Sequence, residues 1–256
     1  MNNENRKYQN ARPPCQPGVA RWVDSLLAAI SSWRCVVCLE PALGMDLCAG
    51  CLHDLPWLGL TCRHCAMPMS ANLSPVCGQC AQEACSQDVD FCSAALAYEF
   101  PVDRLVTALK YMHKIEYARV LGELLAIRIY EQTDDGDFVL PDFIVPVPLH
   151  PWRLLQRGFN QAAEIARWVA REHALPINTS LVRRVRHTPG QASLSRSKRL
   201  DNVGGAFALV GNVANRRVAL LDDVVTTAAT TRELARLFKR AGAAEVQVWA
   251  VSRAIA

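Results

Sequence analysis

Apolar residues change their spacing along this chain, and the change divides it. Over residues 19–33, Trp22, Val23, Leu26, Leu27 and Ile30 recur at helical intervals and give one sticky face. From residue 34 to about 91 periodicity is weak, and Pro and Gly lie between cysteine pairs. That stretch reads as a small module whose core is too small to fold unaided. From residue 92 onward strand and helix patterns alternate. Residues 93–100 read as a strand, 102–112 and 117–132 as helices, and 143–147 as a buried strand closed by Pro148. A helix over 160–173 follows, then an irregular basic stretch to Gly205, a buried strand at 217–221, a helix at 230–240 ended by Gly242, and a last strand at 245–252.

Alternating β and α elements predict an α/β domain with a parallel sheet covered by helices, preceded by a small cysteine-rich domain. The expected boundaries are a polar lead-in at 1–18, an amphipathic helix plus metal module at 19–91, and the α/β domain at 92–256. Ligands of such sheets sit at the carboxyl ends of strands, which directs attention to the loops after Val147 and Leu221.

Composition adds three constraints. The chain is 51% hydrophobic and 20% charged over 256 residues, ordinary for a globular protein. No run of about 18 apolar residues occurs, so no transmembrane segment is expected, and the polar N-terminus lacks the apolar core of a secretory signal, which predicts a cytoplasmic location. Residues 150–200 hold ten Lys or Arg against two acids, a local excess of +8 suited to a polyanion.

All eleven cysteines lie before position 93, and eight form four pairs of the same spacing: Cys35/Cys38, Cys48/Cys51, Cys62/Cys65 and Cys77/Cys80. Two thiolates three positions apart can turn to one ion, and two such knuckles complete a tetrahedral Cys₄ site. In a reducing compartment this predicts two structural zinc ions rather than disulfides. Sequential pairing is the simplest arrangement, with interleaved pairing the alternative. His53 and His64 lie near the ligands and are expected to play surface or supporting roles; Cys15, Cys85 and Cys92 fall outside the pattern, Cys92 as a small buried residue.

The most informative segment is 218–230. Four apolar residues end in Asp222 and Asp223, then come Val224, Val225, Thr226, Thr227, Ala228, Ala229 and Thr230 at the start of a helix. Small side chains let backbone N–H groups face a phosphate, and the helix N-terminus adds partial positive charge. The two carboxylates suit the vicinal hydroxyls of a ribose. A P-loop nucleotidase would also need G-x-x-x-x-G-K-[ST], and no Gly here is followed by Lys. Toward the other loop, Leu149 and His150 follow a proline turn, and Arg153 and Arg157 precede a helix. Those cations suit the other end of an elongated polyanion.

The acidic loop resembles the phosphoribosyl-pyrophosphate (PRPP) motif of type I phosphoribosyltransferases, in which the acidic pair binds the ribose hydroxyls and the following loop the 5′-phosphate. The family usually has Gly where this chain has Ala228. From about residue 34 to the end, the chain resembles the ComF family, which includes the GntX proteins: a double zinc ribbon joined to a type I phosphoribosyltransferase-like domain. The markers are the CxxC pairs, Leu109-Lys110-Tyr111, Pro146-Val147-Pro148-Leu149, Arg157-Gly158-Phe159-Asn160-Gln161, Thr188-Pro189-Gly190-Gln191 with Leu194-Ser195, Asn202, and the acidic loop. Family members usually have Pro where this chain has Gly190.

The resemblance implies PRPP or a ribose 5-phosphate compound as ligand, Mg²⁺ accompanying PRPP, and a role in uptake or use of external DNA. It implies Lys110, Leu149, His150, Arg153 and Arg157 on the pyrophosphate side, and Gln191, Arg196, Lys198 and Arg199 on a flexible closing loop. Two functions follow: a phosphoribosyltransferase whose acceptor base is unnamed, or a non-catalytic nucleotide sensor whose zinc ribbons engage single-stranded DNA, the uptake machinery or another protein. The basic stretch 183–199 lacks aromatic residues that would stack bases.

Overall fold

The structure, a computed structural model, describes residues 33–70, 74–82, 88–133, 138–185 and 205–255. Most of the expected helix at 19–33, the lead-in, Cys15, Cys85, Gln191, Arg196, Lys198 and Arg199 lie outside the described residues. Two compact units divide the chain between Leu55 and Pro56.

In the first unit, Cys35 N donates to Glu40 O (2.8 Å) and Val36 N to Asp46 O (2.9 Å), closing a tight turn around the first cysteine pair. Helix α1 (Ala49–His53) starts at Cys48, whose sulfur accepts the Cys51 N–H at 3.4 Å. Among the described residues of this unit, Cys35, Ala42, Leu47 and Leu55 are buried and apolar, a small core.

The second unit opens with another such turn, Cys62 N to Met67 O at 2.8 Å, followed by α2 (Gly78–Gln82). Its sheet holds β1 (Phe91–Ala97), β2 (Phe143–Pro146), β5 (Arg217–Val225) and β6 (Glu245–Arg253) in the order β1-β6-β5-β2, every neighbouring pair parallel. Between β1 and β2 run α3 (Val102–Tyr111) and α4 (Tyr117–Thr133). Between β2 and β5 run α5 (Pro151–Arg157), α6 (Gln161–His173), β3 (Val182–Arg184) and β4 (Phe207–Leu209); α7 (Ala229–Arg240) joins β5 to β6.

Alternation along the strands builds two layers. Val218 and Leu220 of β5 join Val246 and Val248 of β6 and Leu234, Ala235 and Phe238 of α7 in one apolar cluster. Ala219 and Leu221 are also fully buried and alternate to the other face, where α6 packs on β2 and β5 while α4 packs on β1 and β6. Helices α4 and α6 pack closely because Gly122 has no side chain: a Cβ there would lie 2.6 Å from Trp168 Cβ and 2.9 Å from Ile165 O.

The second cysteine set shares a compact unit with the sheet, although the change of pattern in the sequence falls at 91/92. Backbone bonds explain this: Leu58 N to Ala95 O (2.9 Å), Ala97 N to Pro56 O (2.8 Å) and Cys92 N to Arg63 O (2.6 Å) stitch residues 56–65 to β1. Leu58, Ala66 and Val89 enter the sheet's apolar cluster.

Three elements differ from expectation. Strand β5 runs past 221 to Val225, because Val224 and Val225 pair with Ser252 and Arg253 of β6. The proline turn after β2 continues as α5, capped by the His150 side chain and ended at Gly158 with φ +81°. The irregular basic stretch begins and ends in a short antiparallel ladder, β3 with β4, and Val185 N reaches Ala206 O at 2.8 Å. Among the described residues no helix is long and apolar enough to cross a membrane.

Candidate functional site

The site lies where β5 outruns β2. The last β2 pair is Pro146 with Leu221, so Asp222 and Asp223 follow at the carboxyl edge, still inside β5. Asp223 is buried at 3% exposure, and Lys110, at the end of α3, places its Nζ against Asp223 Oδ2. The Asp223 N–H donates to Asp222 Oδ1 at 2.9 Å.

Two adjacent carboxylates with one lysine cannot both ionise cheaply. Burial, then the charge of Asp223, holds the Asp222 carboxyl well above the usual carboxylate range. Burial acts the same way on Asp223, but the charge of Lys110 and hydrogen bonds from Asp222 and Lys110 outweigh it and leave Asp223 below that range.

Beyond Val225 the chain turns through Ala228, which has the left-handed φ of +59° and caps α7 without a side-chain hydrogen bond. That backbone is the physical reason for a Gly preference at this position. Thr231 Oγ1 bonds Ala228 O at 3.1 Å, and the first α7 N–H groups have no acceptor within the helix. A small pocket opens here, lined by Asp222, Thr226, Ala228, Ala229 and Thr230 among others. Thr227 Oγ1 is enclosed with no hydrogen-bond partner.

The cations arrive from three elements. Arg157, at the end of α5, bonds Gln161 Oε1 and lies over the Tyr111 ring at 5.4 Å. Arg184 of β3 lies over Phe207 at 5.4 Å. Burial lowers the pKa of both guanidinium groups and Arg153 adds to this, against the opposing pull of Asp223 on Arg157 and of Asp222 on Arg184. Arg153 therefore opposes both Arg157 and Arg184, a repulsion that an anion would relieve.

The structure thus brings Lys110 onto the acid pair and Arg157 within reach of the Asp223 charge, with Arg153 beside Arg157. His150 is occupied locally, its Nδ1 accepting the Trp152 N–H at 3.2 Å, and Leu149 is a half-buried link into α5. Arg184 is the cation that sequence reasoning did not single out. Its only sequence signal is its place among the ten basic residues of 150–200.

The cysteines form two sets in sequential order: Cys35, Cys38, Cys48 and Cys51, then Cys62, Cys65, Cys77 and Cys80, with the sulfurs of each set within 4.8 Å of one another. Cys38 and Cys48 sulfurs are 3.6 Å apart and Cys65 and Cys77 sulfurs 3.8 Å, close to the ~3.8 Å edge of a tetrahedron with Zn–S bonds of about 2.3 Å. A hydrogen bond from the Cys65 thiol pulls Cys62 down to about 4, while burial and the charge of Cys62 push Cys80 up to about 12. Without a cation the four thiols do not all ionise, and a divalent ion supplies what is missing. Both sets can hold zinc. Both sets consist of cysteines alone; the Nδ1 of His53 bonds Asp54 (3.0 Å) and that of His64 bonds Val89 O (2.6 Å).

No family model matches the chain. It is 32% identical over 232 residues to Competence protein F of Haemophilus influenzae, covering 87% of this chain and 98% of that protein. The chain belongs to the ComF family. Its ComF relatives include the DNA utilization protein YhgH of Escherichia coli, 33% identical over 86% of this chain and 97% of that one. Competence protein ComFC of Streptococcus pneumoniae is 26% identical over 81% and 87%.

Among solved structures, the allosteric regulatory enzyme of purine biosynthesis matches this ComF chain with a TM-score of 0.33 at 23% identity, over 52% of this chain and 25% of that chain. The purine phosphoribosyltransferase from Pyrococcus horikoshii gives 0.31 at 16% identity, over 52% and 73%. At that level of likeness the fold rests on the sheet order and helix placement described above.

Proposed function

We propose that this ComF-family chain binds PRPP, or a related ribose 5-phosphate compound, at the carboxyl edge of its sheet. The role is the one the family resemblance implies, uptake or use of external DNA; its relatives are named for competence and DNA utilization. One observation carries the reading: acceptors for ribose hydroxyls, Asp222 and Asp223, lead within one short segment into a left-handed residue and a helix N-terminus that offers N–H donors. Thr226, Thr227, Ala228, Ala229 and Thr230 would hold the 5′-phosphate, and Arg153, Arg157 and Arg184 would meet the diphosphate. Mg²⁺ would enter on the diphosphate, whose oxygens supply much of its coordination.

Such a site supports transfer chemistry. A nitrogen nucleophile attacks ribose C1, the C1–O bond breaks, and pyrophosphate leaves with the bonding pair while the arginines neutralise it. Two zinc ions would brace the cysteine sets.

Calorimetry with PRPP, ribose 5-phosphate and inorganic phosphate tests the reading. PRPP should bind most tightly, and Asp222→Asn should weaken PRPP and ribose 5-phosphate at least tenfold while sparing phosphate. Absence of PRPP binding by the zinc-loaded protein refutes the assignment. Pyrophosphate release with a panel of bases separates transfer from sensing: binding without release selects the nucleotide-sensing reading, with the cysteine sets free to engage DNA or a protein.

A further inference from the structure

Arg253, the last residue of β6, is 6% exposed and carries its charge into the interior. Its Nε donates to Cys65 O at 2.8 Å. Its Nη1 donates to Val225 O at 3.0 Å, to Thr226 O, and to Ala254 O at 2.6 Å. Among the described residues every hydrogen bond of this guanidinium goes to a carbonyl oxygen and none to a carboxylate. A buried cation held only by dipoles is costly unless negative charge lies close. Four thiolates around one Zn²⁺ carry a net charge of about −2, and the set containing Cys65 would supply that counter-charge.

The same guanidinium therefore grips two things: the turn that presents Cys62 and Cys65, and the first two carbonyls of the ribose-phosphate loop. In a trans peptide C=O and N–H point in opposite directions. Holding Val225 O and Thr226 O on Arg253 thus turns the N–H groups of Thr226 and Thr227 away from it, as a phosphate cradle requires.

We infer that Arg253 is a positioning residue coupling the second cysteine set to the loop at 225–230. Metal in that set holds the loop in its binding geometry, and metal in the first set has no such effect. The coupling stands on the Arg253 bonds; only its ligand readout rests on the function proposed above. Linkage makes the effect reciprocal, so ribose 5-phosphate must retain metal in the second set.

The test uses the full chain loaded with zinc. In Cys77→Ser, amides 226–232 should exchange hydrogen at least tenfold faster while those of β2 and α4 keep their protection. Cys48→Ser should leave the loop unchanged. Arg253→Lys keeps the charge but loses the planar fork that spans both partners. It should retain wild-type metal content, read from cobalt–thiolate absorbance, yet loosen the same amides and raise the Kd for ribose 5-phosphate at least tenfold. In the wild type, ribose 5-phosphate should slow metal release from the second set alone.

Equal loop protection in Cys77→Ser and wild type, loosening shared with β2 and α4, or equal loosening in Cys48→Ser overturns the coupling. Should Arg253→Lys fail to fold, the two cysteine variants decide. Should the loaded wild type bind no ribose phosphate, the ligand assignment falls, and amide exchange still decides the role of Arg253.

Discussion

Lys110 lies against the Asp223 carboxylate, and this contact joins the end of α3 to the heart of β5. The lysine is 20% exposed and the carboxylate 5%, so little water screens the pair. The contact makes Asp223 a structural anchor as well as a ligand candidate, and it leaves Asp222 as the more separable of the two acids.

Replacing Lys110 by Met should cost about 3 kcal/mol at neutral pH, because it leaves a buried carboxylate uncompensated. Asp223 has a lowered folded pKa, so its stabilising contribution is present above the unfolded value of about 3.9 and is lost as pH falls through the folded value. The deficit of Lys110→Met, read from urea midpoints, should therefore shrink in acid. A deficit independent of pH would show that the pair is not the source.

Asp222 has the opposite sign. Its raised folded pKa favours folding below the unfolded value, and that advantage is lost as pH rises through the folded value. At neutral pH folding must either protonate Asp222 or bury its charge, and both oppose folding, so Asp222→Asn should gain about 1 kcal/mol, a modest figure because the residue is only half-buried. The gain should vanish near pH ~3.5, where the wild-type carboxyl is also protonated. Denaturation at both pH values checks it.

Ala228→Gly should stabilise the protein. A sequence argument expects a loss of ~0.5–1 kcal/mol from added freedom in the unfolded chain. The φ of +59° reverses it: a left-handed alanine is strained by roughly 1–2 kcal/mol, and glycine removes that strain for a net gain of about 0.5–1 kcal/mol. Ribose 5-phosphate binding should hold or tighten in this variant and weaken in Ala228→Val. A lower melting temperature for Ala228→Gly would refute the account.

Gly122→Ala should cost about 1–3 kcal/mol, since the new methyl group meets the Cβ of Trp168 and the backbone of Ile165 on the facing helix. Because neither cysteine set lies on those helices, zinc content should stay unchanged. A neutral effect on unfolding would mean that α4 and α6 separate freely.

Elemental analysis should find two zinc ions per chain. A chelator should collapse residues 33–55, whose few buried apolar residues form too small a core, while the far-ultraviolet signal of the sheet and helices survives. Full retention of structure in 33–55 without metal would contradict this.

What the sequence made legible follows from how far each signal extends. Long periodic helices and buried strands, the four CxxC pairs and the acid pair announced themselves through repeated spacing. Residues whose role depends on a partner distant in sequence did not. Spacing alone makes Lys110 one more cation, and the family resemblance places it on the pyrophosphate side, whereas α3 carries it to Asp223; Gly122 is an ordinary helix glycine until Trp168 faces it. Two adjacent acids resemble a strand end, so the pattern stops β5 at 221; pairing of Val224 and Val225 with β6 extends it. Helix α5 leaves no pattern because it buries nothing and takes a histidine as its cap, and β3 and β4 are three-residue strands, too short to carry one.

The ladder of β3 with β4 also bears on how such proteins diversify. It brings position 185 beside position 206, so the intervening chain leaves and returns at one place on the scaffold. The closure entropy of a loop between fixed, adjacent ends grows only with the logarithm of its length, about 0.6 kcal/mol for a doubling. The ladder therefore lets the length of chain between those two positions change at little cost to the sheet, the acid pair or the helix that follows it.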